Sequence, residues 1–360
     1  MTKLQLKKFL LTLMIGSIGG LLFTVLHIPI PWLLGPLACA LTINTWRPDF
    51  LYWPKSMKSI GMLFIGYTIG QALTSEAVKE ISAQLPYMFL MTILLIALSA
   101  VMALVISKVA KINYQTALLS SIPGGMTQMI VMAEETKDVN LTIVTITQTI
   151  RLLLIVIGMP ILVFSFFTDV RTADTSSISA QWSIHMNSMT ALILILCLVA
   201  ALLGKKIKFP TAFLLVPTIV TALLQSIGMT GLELSPPFID LALLFIGLNI
   251  ALMMKPRDLD NKKQILSLAF FSGALLFVVA IVLGLFFAYM KEIDIPTALL
   301  SLAPGGMDQM GVVAHEVDAS LPLVAGFQIF RTFFILFVIQ PLLVLFLKYT
   351  QTKSFSKTSD

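Results

Sequence analysis

The chain has 360 residues, 58% hydrophobic and 12% charged, with a mean hydropathy of +0.95 and a formal net charge of +6. A soluble domain carries roughly twice that charged fraction, so a soluble class is excluded and the composition is that of a polytopic membrane protein. The basic residues lie scattered in short loops, as cytoplasmic-face anchors do, and no zinc spacing or basic helix points to direct nucleic-acid contact.

Apolar runs of about 17–25 residues cross a bilayer as helices. Lys3, Lys7 and Lys8 precede the first run, Phe9–Leu26, which is too long for a signal-peptide core and reads as a retained first helix. Trp32–Asn44 follows; it is short and contains Pro36, which makes it a candidate broken element. Met57–Leu73, Tyr87–Ile106 and Leu141–Phe167 complete the first half. Thr168–Ile184 is polar, rich in Ser and Thr, and reads as a linker. The second half gives Met189–Leu203, Thr211–Ile227, Phe238–Met254, Leu266–Met290 and Leu321–Leu347. This divides the chain into a membrane repeat over 1–167, a linker over 168–186, a second repeat over 187–348 and a disordered tail over 349–360. Cys39 and Cys197 fall within apolar spans, which argues against a disulfide framework.

The halves share a phrase. Ala117–Glu135 reads ALLSSIPGGMTQMIVMAEE and Ala298–Glu316 reads ALLSLAPGGMDQMGVVAHE, with 13 of 19 positions identical at an offset of 181. Leu63–Gly66 matches Leu244–Gly247 and Pro36 matches Pro217 at the same offset. Gln148 and Arg151 match Gln328 and Arg331 at 180, so one residue is lost in between. Such register over so long a stretch indicates an internal duplication. Basic residues mark the N-terminus and the second and fourth loops of the first half as inside, through Arg47, Lys55, Lys58, Lys108 and Lys111. In the second half they mark the first and third loops, through Lys205, Lys206, Lys208, Lys255, Arg257, Lys262 and Lys263. The positive-inside rule then gives the halves opposite orientation. Five spans plus a broken or re-entrant Pro-Gly-Gly element per half satisfies the odd number of crossings this needs. The expected fold is an all-α membrane bundle of two inverted repeats.

Broken backbone at membrane depth is tolerated only where protein or a water-filled cavity satisfies the freed groups, and paired breaks in two halves point to a transporter's binding site. Pro suits the first helical position and Gly-Gly lets the backbone turn. Pro123, Gly124 and Gly125 should therefore join an incoming arm to a half-helix starting near Met126, and Pro304, Gly305 and Gly306 should do so before Met307. The half-helix N-termini suit an anion; the carbonyls ending the arms suit a cation. Gln128 and Gln309 are candidates for solute contact or for interhelical hydrogen bonding. Met129 and Met310 read as packing. Thr127 aligns with Asp308, an acid beside a break, which reads as the coupling group for H⁺ or Na⁺ or as a cap of its own half-helix. Arg151 and Arg331 lie about ten residues into their spans, ~14 Å deep, each with Gln148 or Gln328 on the same face. That depth disfavours snorkelling and leaves an ion pair with an acid or contact with an anionic solute. Glu134, Glu135, His315 and Glu316 read as markers of the membrane surface.

Three functions compete. A secondary transporter for a small organic solute, an anion among the candidates, coupled to H⁺ or Na⁺, fits the paired breaks. An enzyme lacks support: His27, His185 and His315 are far apart and no GxSxG occurs. Without a GxxxxGK[ST] motif, this chain alone would not drive primary transport. A membrane-embedded sensor or regulator would need a partner for its output. No cofactor is expected; the lipid bilayer, a small solute or ion and a second copy of the chain are the expected partners.

The duplicated Pro-Gly-Gly-Met-x-Gln-Met phrase with a following Gln-x-x-Arg resembles the AbrB duplication family of bacterial integral membrane proteins. Its carriers are Pro123–Met129 with Gln148 and Arg151, and Pro304–Met310 with Gln328 and Arg331, and the resemblance runs from Met14 to about Leu347. It implies a multi-pass inner-membrane protein with a cytoplasmic N-terminus. The family's labels, ammonia monooxygenase and regulator of gene expression, name no agreed solute, and the histidine count lends the first no support. The likeness to inverted-repeat carriers such as bile-acid-symporter-like folds is one of fold alone.

Overall fold

The computed structural model describes residues 3–124, 126–136, 139–167, 187–207, 209, 211–229, 231, 233–253, 262–317 and 319–347, with the backbone alone at Met126, Thr127, residues 262–264 and Asp308. The linker and the tail read from sequence lie outside these residues, as do Lys208, Lys255 and Arg257.

Among the described residues every regular element is helical. Seven helices follow one another: α1 Lys3–Val25, α2 Pro31–Trp46, α3 Lys55–Ala72, α4 Ser75–Ala110, α5 Tyr114–Ser121, α6 Met126–Glu135 and α7 Leu141–Phe166. Seven more repeat the order of lengths: α8 Ser188–Lys206, α9 Ala212–Ser226, α10 Pro236–Ala251, α11 Lys262–Lys291, α12 Ile295–Leu302, α13 Met307–Glu316 and α14 Leu321–Phe334, which continues through a π-turn at Ile335–Ile339 to Leu347. Among the described residues, α1, α4, α7, α8, α11 and the extended α14 are long and apolar enough to cross a bilayer. The chain is a multi-pass helical membrane protein.

Each span expected from hydropathy falls on a helix, with one difference in kind. The Trp32–Asn44 segment is not broken: α2 runs through Pro36, as α9 runs through Pro217. Proline removes one main-chain hydrogen bond, but α2 is gripped from two sides. Its Gly35 lies against Gly19 of α1, and its Leu33 carbonyl lies against Gly247 of α10. Close neighbours of this kind hold a proline-containing membrane helix together.

One compact unit comprises residues 1–83, 160–257 and 308–323. In it α1 packs on α2, α2 on α10, α10 on α3, α3 on α9 and α9 on α8. The central contacts are reciprocal. A Cβ on Gly66 of α3 would sit 2.5 Å from the Leu214 carbonyl oxygen of α9, and one on Gly247 of α10 would sit 2.6 Å from the Leu33 carbonyl oxygen of α2. Only glycine permits helices to approach so closely. Both the glycines and their partners are 181 residues apart. Trp53 closes this unit's core, stacked on Phe9, edge-on to Phe245 and donating Nε1–H to the Phe245 carbonyl at 3.2 Å.

The second unit comprises residues 84–159, 258–307 and 324–360. It contains α5, α6, α11, α12 and most of α4, α7 and α14. Phe287 of α11 meets Phe327 of α14 at 5.0 Å between ring centres, and Phe89 of α4 meets Phe334 edge-on at 5.4 Å. In both units unusual backbone recurs at matched places. Ile30 and Thr211 have φ of 48° and 44°, and Lys111 and Glu292 have 53° and 52°, each pair 181 residues apart. Left-handed backbone is unfavourable for such side chains, above all the β-branched ones.

The π-turn explains a slip in register. Nine residues separate Arg151 from Pro160, and ten separate Arg331 from Pro341. The π-turn lies inside the longer interval, and its i→i+5 bonding absorbs one added residue in an α-helix. Deleting Phe337 should therefore convert the turn to α-helix and leave a monodisperse protein in detergent near wild-type yield. Deleting Ile157 from the uninterrupted α7 should collapse the yield; equal yields for the two deletions would remove this explanation.

Candidate functional site

The two interrupted segments are built alike. Asn113 Oδ1 accepts from the Gln115 amide at 3.0 Å and starts α5; Asp294 Oδ2 accepts from the Thr297 amide at 2.9 Å and starts α12. These are side-chain caps of the first free amides. Each arm has eight residues and spans about 12 Å, ending just before Pro123 or Pro304. A helix end leaves its last carbonyls without intrahelical partners, and apolar surroundings cannot supply any.

Side chains from the following helix supply them. Gln148 Nε2 donates to the carbonyls of Leu119 at 2.6 Å, Ser120 at 3.3 Å and Ile122 at 3.3 Å. Gln328 Nε2 donates to those of Leu300 at 2.8 Å and Ala303 at 3.1 Å. Leu119 and Leu300, and Ile122 and Ala303, are matched at offset 181. Arg151 Nη1 donates to the Ile122 carbonyl at 2.9 Å. Arg331 donates through Nη1 to the Leu302 carbonyl at 3.2 Å and through Nη2 to the Gly305 carbonyl at 3.2 Å, and its Nη2 also donates to Gln328 Oε1. Both arginines are 5% exposed, and Gln148 and Gln328 are 0% and 1% exposed.

Sequence left an ion pair with an acid or contact with an anionic solute open; the described partners of the two guanidinium groups are main-chain carbonyls and Gln328. The guanidinium groups sit on helix C-termini, where the aligned peptide dipoles leave partial negative charge. Arg151 lies within electrostatic reach of Arg331 in the same unit. The α11 backbone comes in beside them: a Cβ on Gly273 would lie 3.2 Å from Arg151 Cα.

Of the residues singled out in sequence, Pro123, Gly124, Gln148, Arg151, Pro304, Gly305, Gly306, Gln328 and Arg331 belong to this unit, as does the half-buried Gln128. Gln309, buried, belongs to the other unit. Gly125 and the side chains of Thr127 and Asp308 lie outside the described residues. Met129 and Met310 are fully buried, whereas Glu134, Glu135, His315 and Glu316 are exposed.

Sequence reasoning missed the hydroxyls. Ser120, Ser121 and Ser301 are buried at 2%, 1% and 1% exposure, and none of their hydroxyls has a hydrogen-bond partner. The signal was present, since the serine at 120 and 301 is identical in both copies of an otherwise apolar arm. It also missed Asp240, a half-buried carboxylate of α10 within electrostatic reach of Glu316 in its own unit. Its signal was an acid inside the apolar run Phe238–Met254.

Fold and site together define a multi-pass helical membrane protein whose two interrupted segments are each tied at the break by a buried Gln-x-x-Arg pair. The chain belongs to the AbrB family: the family model described as "Transition state regulatory protein AbrB" matches residues 32–347. It is 27% identical over 329 residues to the protein named "Putative regulator AbrB" of Escherichia coli (strain K12), covering 89% of this chain and 90% of that one. It is 24% identical over 356 residues to "Uncharacterized protein YhjN" of Bacillus subtilis (strain 168), covering 94% and 92%. No solved structure matches the chain.

Arg331→Met should leave the Leu302 and Gly305 carbonyls and Gln328 Oε1 without a donor, at a cost on the order of 2–4 kcal/mol. Asp294→Ala, which removes only a cap, should cost about 1 kcal/mol. Denaturation in detergent should rank the variants in that order; equal losses would deny the arginine its role at the helix end.

Proposed function

We propose that the protein is a secondary transporter for a small organic solute, built as two inverted repeats in the inner membrane with the N-terminus cytoplasmic. The observation that carries this is the matched pair of helix breaks, each held by a buried Gln and Arg inside one unit. An arm of about 12 Å cannot cross a hydrocarbon core of about 30 Å, so each break falls at membrane depth as a re-entrant or broken element. Discontinuous helices at the repeat interface are where such carriers bind solute and coupling ion. The reciprocal glycine contacts and the recurrence of left-handed residues at offset 181 support two repeats of one fold. Loop charge supports their inversion.

Within the unit that holds both breaks, solute contact falls to Arg151, Gln128 and Gln148, with the Pro-Gly-Gly breaks providing main-chain groups, while Arg331 and Gln328 hold the second break. Coupling to H⁺ or Na⁺ falls to Asp308, where repeat one has Thr127, and Asp240 is a second acid placed in apolar surroundings. Membrane carboxylates are costly unless they take up a proton or cation. The second reading follows the word "regulator" in the name of the Escherichia coli relative: an indirect effect on gene expression through a partner, with no enzymatic step.

Two measurements test the transporter reading. Cysteines placed after Leu73 and after Met253 should label from opposite sides of the membrane; labelling from one side would end the inverted repeat. Proteoliposomes preloaded with mixed small carboxylates, amino acids or sugars should show counterflow of one class, abolished in Arg151→Ala. A stable complex with a soluble partner, with no flux for any class, would favour the regulator.

A further inference from the structure

The two buried arginines differ in how much of their hydrogen-bonding capacity is used. Arg331 spends both terminal nitrogens on three acceptors, the Leu302 and Gly305 carbonyls and Gln328 Oε1. Arg151 spends Nη1 on the Ile122 carbonyl, and its buried Nε–H has no partner. Gln328 Oε1 is engaged by its arginine, whereas the equally buried Gln148 Oε1 is free. The pair in the second half is closed on itself; the pair in the first half is open.

Around the open pair lie more unused donors. Ser120 and Ser121 end α5 next to Ile122, and both hydroxyls are buried without partners. A serine or threonine in an apolar helix ordinarily returns its proton to the carbonyl one turn back. Ser99 does so with Leu95 at 2.7 Å and Thr149 with Thr145 at 2.8 Å, in the same unit. Ser120 and Ser121 do not. Buried polar groups left unpaired in a native protein call for a ligand, ion or water to complete them.

We propose that Arg151, through its Nε–Nη2 edge, together with Ser120 and Ser121, binds the single carboxylate of a small monoanionic solute, while Arg331 is a positioning residue that fixes the other break. Binding at this site does not require the transporter reading; carriage of the bound solute across the membrane does. The edge of a guanidinium bearing Nε–H and one Nη–H matches a carboxylate in a two-bond fork. The hydroxyls of Ser120 and Ser121, in the arm segment Leu119–Ile122 whose carbonyls Gln148 and Arg151 bind, add donors of the same sense. With Arg331's terminal nitrogens already engaged, the vacant guanidinium edge is that of Arg151, and beside the second break the buried Ser301 hydroxyl alone is left without a partner among the described arm residues. A monoanion at Arg151 also offsets the repulsion between the two guanidinium groups.

The test uses the full-length protein in detergent, with sodium propionate, sodium succinate, propionamide and sodium chloride as probes at matched ionic strength. Propionate should raise the melting temperature above chloride, and propionamide should not. Arg151→Lys keeps the charge but loses the fork, and should weaken propionate binding by roughly tenfold or more in titration calorimetry. Ser120→Ala with Ser121→Ala should weaken it about threefold to tenfold. Arg331→Lys should mainly lower the melting temperature, with a loss of affinity several times smaller than that of Arg151→Lys. Asp294→Ala serves as the control for a variant that is merely less stable. Equal binding of propionamide, tighter binding of succinate than propionate, no binding of propionate, or equal losses from the two arginine variants would each overturn the assignment. Counterflow separates this from the transporter reading. Propionate binding without counterflow of any solute leaves the site and ends the transporter. Counterflow of an uncharged solute that survives Arg151→Lys ends the site and leaves the transporter.

Discussion

Everything near the two breaks depends on how the carbonyl groups at the ends of α5 and α12 are satisfied. A helix that stops in apolar surroundings exposes up to four carbonyls that water would otherwise take up. Here a glutamine and an arginine one turn apart on the next long helix take them instead. The spacing of three residues puts both on one helix face, so one face of α7 seals α5 and one face of α14 seals α12. The amide fits neutral carbonyls; the guanidinium adds positive charge where the helix dipole is negative. That choice also brings two like charges into one buried region, which apolar residues would not have done.

Much of this was legible in sequence because the residues involved break local rules. Pro-Gly-Gly does not readily continue a helix, so interruptions at Pro123 and Pro304 with restarts near Met126 and Met307 were readable. Arginine ten residues into an apolar span is too deep to reach water, so its burial was readable too. Its partners were not. Sequence draws attention to charged partners, and the acceptors here are main-chain oxygens, whose exposure depends on where a neighbouring helix ends. Pro36 shows the opposite error. It breaks a local rule, yet α2 is continuous, because Gly19 and Gly247 bring two other helices against it. Local propensity is a weak prior when tertiary packing decides. The serines were passed over because serine is common in membrane helices and usually pairs with its own backbone, which only coordinates can show to fail.

Sequence also placed the asymmetry between the halves at Thr127 and Asp308. The described side chains add two more departures. One is the π-turn after Arg331, which α7 lacks after Arg151. The other is the closed Arg331–Gln328 pair against the open Arg151–Gln148 pair. The π-turn begins four residues after Arg331 on the same helix. A π-turn shifts the backbone beyond it and gives the face before it a different neighbourhood.

On the carrier reading proposed above, two repeats of one fold need some such difference. Two identical sites would bind two solutes or share one ambiguously. Closing Arg331 on its own glutamine leaves the Arg151 edge as the one proposed for a carboxylate. In this chain an added residue in α14 accompanies the closed pair, and an uninterrupted α7 accompanies the open one. The added residue thus lies on the helix whose arginine is closed on its own glutamine, four residues and more beyond that arginine.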